Sequence, residues 1–222
     1  MASCSSEVRM AANHNHAGYI DIYCERLQPG LFDEPLNAIS NGAFIIAGLL
    51  FYRWYRGTDP MVPWQSGLMV LVGLCSLAFH MMADLPSMFA DILSILLFIL
   101  LHVYLASRRF VPQIGVFGAV VAALVTGVAS NAVPPSILMG SAGYFPALLA
   151  LIVFGVITRS DHPQASKSFF IAAGLFVLSL TLRTIDRPLC DIFPLGTHPA
   201  WHILNGMVLF FTAQAVLRGA KK

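Results

Sequence analysis

Long apolar runs separated by short polar turns dominate this chain. Seven runs can be drawn, over residues 35–54, 64–83, 88–107, 113–130, 138–157, 168–183 and 199–217. Most approach the roughly 20 residues that an α-helix needs to cross about 30 Å of hydrocarbon. They also lack the polar face of a helix in a soluble bundle. The fourth to sixth runs are shorter and richer in glycine and alanine, so their ends are less sharply defined. The pattern predicts an all-α membrane protein, a bundle of seven transmembrane helices.

Composition supports this class and divides the chain into three parts. The chain is 57% hydrophobic and only 11% charged, which is typical of a polytopic membrane protein. We expect an extramembrane segment over residues 1–34, a seven-span domain over 35–217 and a cytoplasmic tail over 218–222. Seven spans in 222 residues leave no room for a second domain. The first 30 residues are polar and lack the apolar core of a cleavable signal.

Basic residues predict the orientation of the bundle. Most lysines and arginines fall on the side that holds the C-terminus, so the positive-inside rule places the N-terminus outside or in a lumen and the C-terminus in the cytoplasm. These residues are Arg53, Arg56, Arg108, Arg109, Arg159, Lys167, Arg218, Lys221 and Lys222. The net charge of +2, without a basic stripe, argues against a nucleic-acid partner.

Three histidines fall at the mouths of apolar runs. His80 closes the second run, and His198 and His202 open the seventh. The latter two are four residues apart, so they share one helix face at about 6 Å along the axis. In the predicted topology all three lie at one depth near the outer face. Three imidazoles at one depth indicate a catalytic metal with an open coordination position.

Two further polar residues fall at the same predicted depth. Ser76 lies one turn before His80, and Asp91 lies in the first turns of the third run. All five polar residues have an ordinary alternative explanation. A histidine can lie at the membrane interface, an aspartate can cap its helix, and a serine can bond to its own helix. Together these alternatives must explain five coincident positions, and we favour a site. The remaining histidines fall outside this group: His14, His16, His102 and His162.

These motifs resemble the alkaline ceramidase family. They are S-x-x-x-H at the end of the second run, an aspartate eleven residues after that histidine, and H-P-A-W-H opening the seventh run. The stretch DIYCERLQPGLFDEPLNAISN also resembles this family, and RTIDRPLCDIFPLGTHPAWHILNG is similar to its bacterial-type members. The wider CREST-like superfamily includes seven-span progestin and adipoQ receptors and GPI-remodelling proteins, which share the metal-site pattern.

The resemblance implies a zinc-dependent amidase that takes its lipid substrate from the bilayer. His80, His198 and His202 would hold Zn²⁺ with water in the fourth position. Asp91 would move the proton and Ser76 would stabilise the oxyanion, which with His80 makes the catalytic set. The products from ceramide, or from a related N-acyl lipid, would be a fatty acid and a long-chain base. A bacterial plasma membrane is the favoured location, with an ER or Golgi membrane as the alternative.

The resemblance also implies a calcium site and a disulfide. Asp21, Glu25, Leu27 through its backbone carbonyl, and Glu34 would bind Ca²⁺. This segment departs from the family pattern twice: Asp21 lies one residue further from Cys-Glu, and Leu27 stands where an asparagine ligand is expected. The alternative is an ordinary solvated acidic segment.

Two pairings are expected on the outer side. The family pairs the positions of Cys24 and Cys190, and the predicted outer location is an oxidising one that permits such a bond. Arg183 and Asp186, in the same outer loop, are expected to form a surface ion pair of small energetic weight.

Two other functions compete with a hydrolase. A receptor or regulator with a structural zinc site would favour a closed set of four ligands. A transporter would string polar groups across the depth of the bilayer. Because the polar residues cluster at one side and no internal repeat is seen, the hydrolase is preferred.

Overall fold

A computed structural model of the protein describes residues 19–219. Over these residues the fold is all-helical, with no strand, and it contains seven helical spans long and apolar enough to cross a membrane. We number them in chain order as spans 1 to 7. They are Pro35–Tyr55, Val62–Met82, Leu85–Phe110, Pro112–Ala132, Ile137–Ile157, Pro163–Ile185 and His198–Arg218. The predicted seven-helix membrane bundle is confirmed, and the chain is a multi-pass membrane protein.

The helices extend beyond the apolar runs that predicted them. Span 6 begins at Pro163 rather than at residue 168, and span 3 continues to Phe110 rather than ending at 107. Proline accounts for several of the starts, because its missing N–H costs nothing in a first helical turn. A proline occupies the first or second position of a helix in every span: Pro35, Pro63, Pro86, Pro112, Pro146, Pro163 and Pro199.

Consecutive spans pack side by side, and span 7 closes the ring by packing against both span 6 and span 1. Span 7 is also the most buried of the seven. Because consecutive spans run in opposite directions, the last residues of span 2 and the first residues of spans 3 and 7 lie at the same end of the bundle. We call this the histidine end.

Two spans are interrupted near the histidine end. Span 1 consists of Pro35–Ser40 and Gly42–Tyr55, joined at Asn41. Span 5 begins with a 3₁₀ segment, Ile137–Tyr144, before the α-helix Phe145–Ile157. Inside that segment the backbone is left-handed at three consecutive positions, two of them not glycine: Leu138, Met139 and Gly140.

Residues 19–34, which we call the N-terminal segment, lie across the histidine end. The N–H of Ile20 donates to the carbonyl of Ala83, after span 2, over 2.7 Å. A disulfide joins Cys24 to Cys190, in the loop before span 7. The N-terminal segment is thus attached to both elements that carry the histidines. The hypotheses on His14, His16 and most of the tail fall outside the described residues.

Candidate metal centre and active site

The three predicted histidines meet at one buried point. His80, His198 and His202 are each at most 1% exposed. Each offers one ring nitrogen to a common group, and these three atoms lie within 4.8 Å of one another. Among the described residues this is the one cluster of histidine, cysteine or acidic side chains with such a geometry. The three side chains could therefore hold a metal ion.

Hydrogen bonds fix which nitrogen of two rings carries the proton. Nδ1 of His80 lies 2.5 Å from Oε2 of Glu34, a carboxylate that can only accept when ionised. Nδ1 of His202 lies 2.7 Å from Oγ of Ser40, and that hydroxyl already donates to the carbonyl of Asn37. Both Nδ1 atoms are therefore donors, which leaves Nε2 of each neutral ring with a free lone pair.

The two free lone pairs face each other. Nε2 of His80 and Nε2 of His202 are 3.1 Å apart. Two lone pairs at this distance repel unless a positive group, either a proton or a metal ion, lies between them. The protonation pattern of the site therefore fits a metal ion.

His198 completes the site from its position one turn before His202. Its ring stacks against two aromatic rings, with centroid distances of 3.6 Å to Tyr23 and 4.9 Å to Trp201. Both ring nitrogens are buried without a hydrogen-bond partner. A buried polar atom left unpaired is costly, so a metal ligand role accounts for a feature that packing alone leaves unexplained.

Asp186 holds the start of span 7 in place. Its carboxylate is 1% exposed and accepts from the backbone N–H groups of Cys24, Thr197 and His198. The prediction of a surface ion pair between Asp186 and Arg183 is therefore wrong. Asp186 is instead a buried cap, because a carboxylate satisfies the unpaired N–H groups of a helix start. Arg183 instead donates to the carbonyl of Met139.

Ser76 and Asp91 lie beside the histidines, as their sequence positions predicted. His80 and Ser76 are both polar neighbours of the Asp91 carboxylate. Oγ of Ser76 and Oδ1 of Asp91 are buried without a hydrogen-bond partner. Ser76 is thus not bonded to its own helix. Asp91 is not a cap either, because Asp84 caps span 3 by accepting from the N–H of Ser87.

The four residues expected to bind calcium do not converge on one point. Leu27, expected to bind through its backbone carbonyl, is 82% exposed, and its N–H donates to Asp33. Asp21 faces Arg187 at 3.2 Å, and burial raises the pKa of Asp21 although Arg187 opposes that shift. Both carboxylate oxygens of Glu25 accept backbone N–H groups, and burial raises the pKa of this carboxyl too. Calcium binding stays a prediction.

Glu34 has a different role from the one expected. Besides His80, its carboxylate accepts from Nδ2 of Asn37 at 2.9 Å and from Nε of Arg26 at 2.5 Å. Burial acts to raise the pKa of Glu34, but the hydrogen bonds from His80, Asn37 and Arg26 outweigh it and hold this pKa below its ordinary value. Glu34 is therefore a carboxylate that orients a histidine of the cluster.

Sequence reasoning missed most of the residues that support the three histidines. Four residues contact a histidine of the cluster, and none was assigned a role in the site: Tyr23, Ser40, Trp201 and Asp186. Tyr23 and Trp201 stand inside motifs that resemble the family, Y-C-E and H-P-A-W-H, which was an available signal. Ser40 and Asp186 also lie inside the longer stretches that resemble the family, but their contacts depend on how distant segments meet and could not be predicted from those stretches.

An apolar cavity lies inside the bundle next to the cluster, with Trp201 between the two. Along span 7 it is lined from Trp201, next to His202, to Thr212, which corresponds to about 16 Å at 1.5 Å per residue. Almost all other lining side chains are apolar, including Phe98 and Phe154. His102 is a polar exception in this lining, and its Nε2 lies 3.1 Å from Oε1 of the buried Gln65. The space below the histidines is suited to a hydrocarbon chain.

The fold and site define a class: a seven-span membrane protein with a buried three-histidine centre beside an apolar cavity. Comparison with protein families identifies the class further. The sequence profile of the Ceramidase family matches residues 28–219, and the chain belongs to this family. A comparison with curated proteins finds no match. Family membership indicates a hydrolase of lipid amides with a lipid substrate.

Proposed function

We propose that this protein is a zinc-dependent membrane amidase that hydrolyses the N-acyl bond of ceramide or of a related N-acyl lipid. The observation that carries the proposal is the buried three-histidine cluster, in which the Nε2 atoms of His80 and His202 lie 3.1 Å apart while both Nδ1 atoms have oxygen partners. The membership in the Ceramidase family supplies the substrate class. The released products are a fatty acid and a long-chain base.

Zinc is the metal that the donor set favours. Three imidazole nitrogens are typical ligands of Zn²⁺, and three protein ligands are the number found in catalytic zinc sites. When bound at His80, His198 and His202, zinc would lower the pKa of a water molecule and polarise the amide carbonyl. Glu34 and Ser40 keep the Nδ1 protons of His80 and His202 turned away, so that both Nε2 atoms remain ligands.

Asp91 and Ser76 perform the proton transfer and the charge stabilisation. The Asp91 carboxylate accepts the proton of the attacking water as the C–O bond forms, and it delivers that proton to the leaving amine nitrogen as the C–N bond breaks. The Ser76 hydroxyl donates a hydrogen bond to the carbonyl oxygen while negative charge develops there. Oγ of Ser76 and Oδ1 of Asp91 are both buried without a well-formed hydrogen bond, which supports these roles.

The apolar cavity supports a substrate with an acyl chain. It begins beside Trp201, next to a proposed metal ligand, and continues between side chains of spans 3, 5, 6 and 7. An acyl chain in this space would place its carboxyl-derived carbon near the histidines.

The test measures zinc content and ceramide hydrolysis of the purified protein beside two variants. We expect about one zinc per chain, His198→Ala to lose both metal and activity, and Asp91→Asn to keep the metal while losing activity by about 10²–10⁴-fold. His162→Gln is the matched control: this histidine lies at the start of span 6, at the opposite end of the bundle, and should leave both unchanged.

Two outcomes would contradict the proposal in different ways. A protein without zinc would overturn the metal centre. A protein that holds zinc but cleaves no N-acyl lipid would point to a receptor or regulator of the same superfamily, with the metal in a structural role.

A further inference from the structure

Arg26 is a buried cation that the proposed reaction does not use. The residue is 2% exposed. Its Nε donates to Oε1 of Glu34 at 2.5 Å, its Nη2 to the backbone carbonyl of His80 at 2.9 Å, and its Nη1 to the carbonyl of Gly30 at 3.2 Å. All three guanidinium nitrogens therefore have oxygen acceptors, and the charge is fully enclosed by the N-terminal segment and the end of span 2.

These acceptors are of the kind that calcium prefers. A carboxylate oxygen and several backbone carbonyls are typical ligands of a hard divalent cation. Here the guanidinium occupies the position that such an ion would take against Glu34. The other acidic side chains of the segment already have partners: Glu25 accepts two backbone N–H groups, and Asp21 faces Arg187. The arrangement therefore does not fit the calcium ion that the family resemblance implied.

We propose that the Arg26 guanidinium replaces a bound divalent cation in this protein and is a positioning residue for His80. It acts on His80 in two places. It holds Glu34, whose other oxygen receives the Nδ1 proton of His80, and it binds the backbone carbonyl of His80 directly. The calcium part stands independently, while the positioning part rests on the proposed function, in which His80 is a metal ligand.

Charge balance explains why an arginine suits this position. Glu34 has one oxygen on Arg26 and the other on His80, at 2.5 Å in both cases. With Arg26 removed, a buried carboxylate would keep only its bonds to His80 and Asn37, and an undercompensated buried charge is strongly unfavourable. The planar fork of arginine reaches three acceptors at once, which the single ammonium of lysine does less well.

The experiment uses the purified full-length chain and its Arg26→Ala and Arg26→Lys variants, with Arg187→Ala as a matched control. Arg187 makes the neighbouring ion pair of the same segment, with Asp21, and does not contact Glu34 or His80. Three quantities are measured: calcium binding by isothermal titration, the thermal midpoint with calcium or with EGTA, and zinc affinity by competition with a chelator. None of them requires substrate turnover.

We expect the unmodified protein to bind no calcium in the millimolar range and to unfold at the same temperature with calcium or EGTA. Arg26→Ala should lose about 10- to 100-fold in zinc affinity, the usual effect of removing an outer partner of a metal-ligating histidine. Arg26→Lys should recover part of this loss, and Arg187→Ala should keep the original affinity.

Saturable calcium binding that raises the thermal midpoint of the unmodified protein would overturn the replacement of calcium by Arg26. Unchanged zinc affinity in Arg26→Ala would overturn the positioning role. If Arg26→Ala fails to fold, the calcium titration of the unmodified protein still tests the replacement of calcium. The zinc affinity of Arg26→Lys then tests the positioning role. A protein that meets all expectations but cleaves no lipid would contradict the hydrolase and leave this inference standing.

Discussion

At the scale of single residues, the site depends on where a few protons and lone pairs lie. Glu34 and Ser40 each accept an Nδ1 proton, and this makes the opposite nitrogens of His80 and His202 ligands. Ser76 and Asp91 differ from the histidines, because Oγ of Ser76 and Oδ1 of Asp91 are buried without a hydrogen-bond partner. Groups left unpaired in this way cost stability, and a role towards substrate is a physical reason for a protein to keep them.

Ser76→Ala should retain zinc and lower the rate of amide hydrolysis by about 10²–10³-fold, the usual loss when one donor to a developing oxyanion is removed. The rate and the metal content of the purified variant check this expectation. Ser66→Ala is the control, since Ser66 is a buried serine of the same span whose hydroxyl donates to the carbonyl of Gly48. Equal rates for the two variants would contradict the role of Ser76.

At the scale of elements, close approach between spans 1 and 7 holds two parts of the site together. Span 1 supplies Ser40 and span 7 supplies His202, whose side chains are 2.7 Å apart. The approach depends on Gly206: a Cβ there would lie 2.9 Å from the carbonyl oxygen of Ala43, which is backbone and cannot turn away. Small residues serve this purpose widely between membrane helices.

Gly206→Ala should therefore separate these two spans and destabilise the protein by about 1–3 kcal/mol, the usual cost of overpacking. Gly174→Ala is the matched control: it lies inside span 6, and a Cβ there meets nothing within 4 Å. The control should unfold at the same or a higher temperature, since alanine favours helix over glycine. The measurement is the thermal midpoint of each variant in detergent. A midpoint for Gly206→Ala as high as that of the control would contradict the packing role of Gly206.

At the scale of the whole molecule, the disulfide links the N-terminal segment to the last loop. Cys24 lies beside Tyr23, which stacks on His198, and Cys190 lies in the loop that leads to His198. The chain between the two cysteines includes six of the seven spans. The disulfide therefore holds the segment against the site from the far end of the sequence.

Cys190→Ser should lower both the thermal midpoint and the zinc affinity, since a native disulfide contributes about 2–5 kcal/mol and this one also holds Tyr23 on His198. A reductant should have the same effect on the unmodified protein. Cys75→Ser is the control, because Cys75 lies within span 2 and is not in a disulfide. A midpoint and a zinc affinity unchanged by reductant would contradict this expectation.

Several features could be predicted from the sequence because each depends on local pattern. The seven spans follow from apolar runs long enough to cross a bilayer. The meeting of His80, His198 and His202 follows from their places at the ends of spans whose directions alternate. The ends of the helices were less exact, as at Pro163, because helices continue past the apolar region. The orientation of the bundle and the membrane in which it lies stay predictions.

What surrounds the histidines was decided only by the tertiary structure. Glu34, predicted as a calcium ligand, also contacts the Nδ1 of His80, and Asp186 was expected on the surface and instead caps span 7. Arg26 drew no attention in the sequence, yet it lies buried between Glu34 and the carbonyl of His80. The sequence by itself determined the helices and which side chains share an end of the bundle. The partners of each charge were set by the packing of the N-terminal segment, because a buried charge takes whichever partners three-dimensional contact provides.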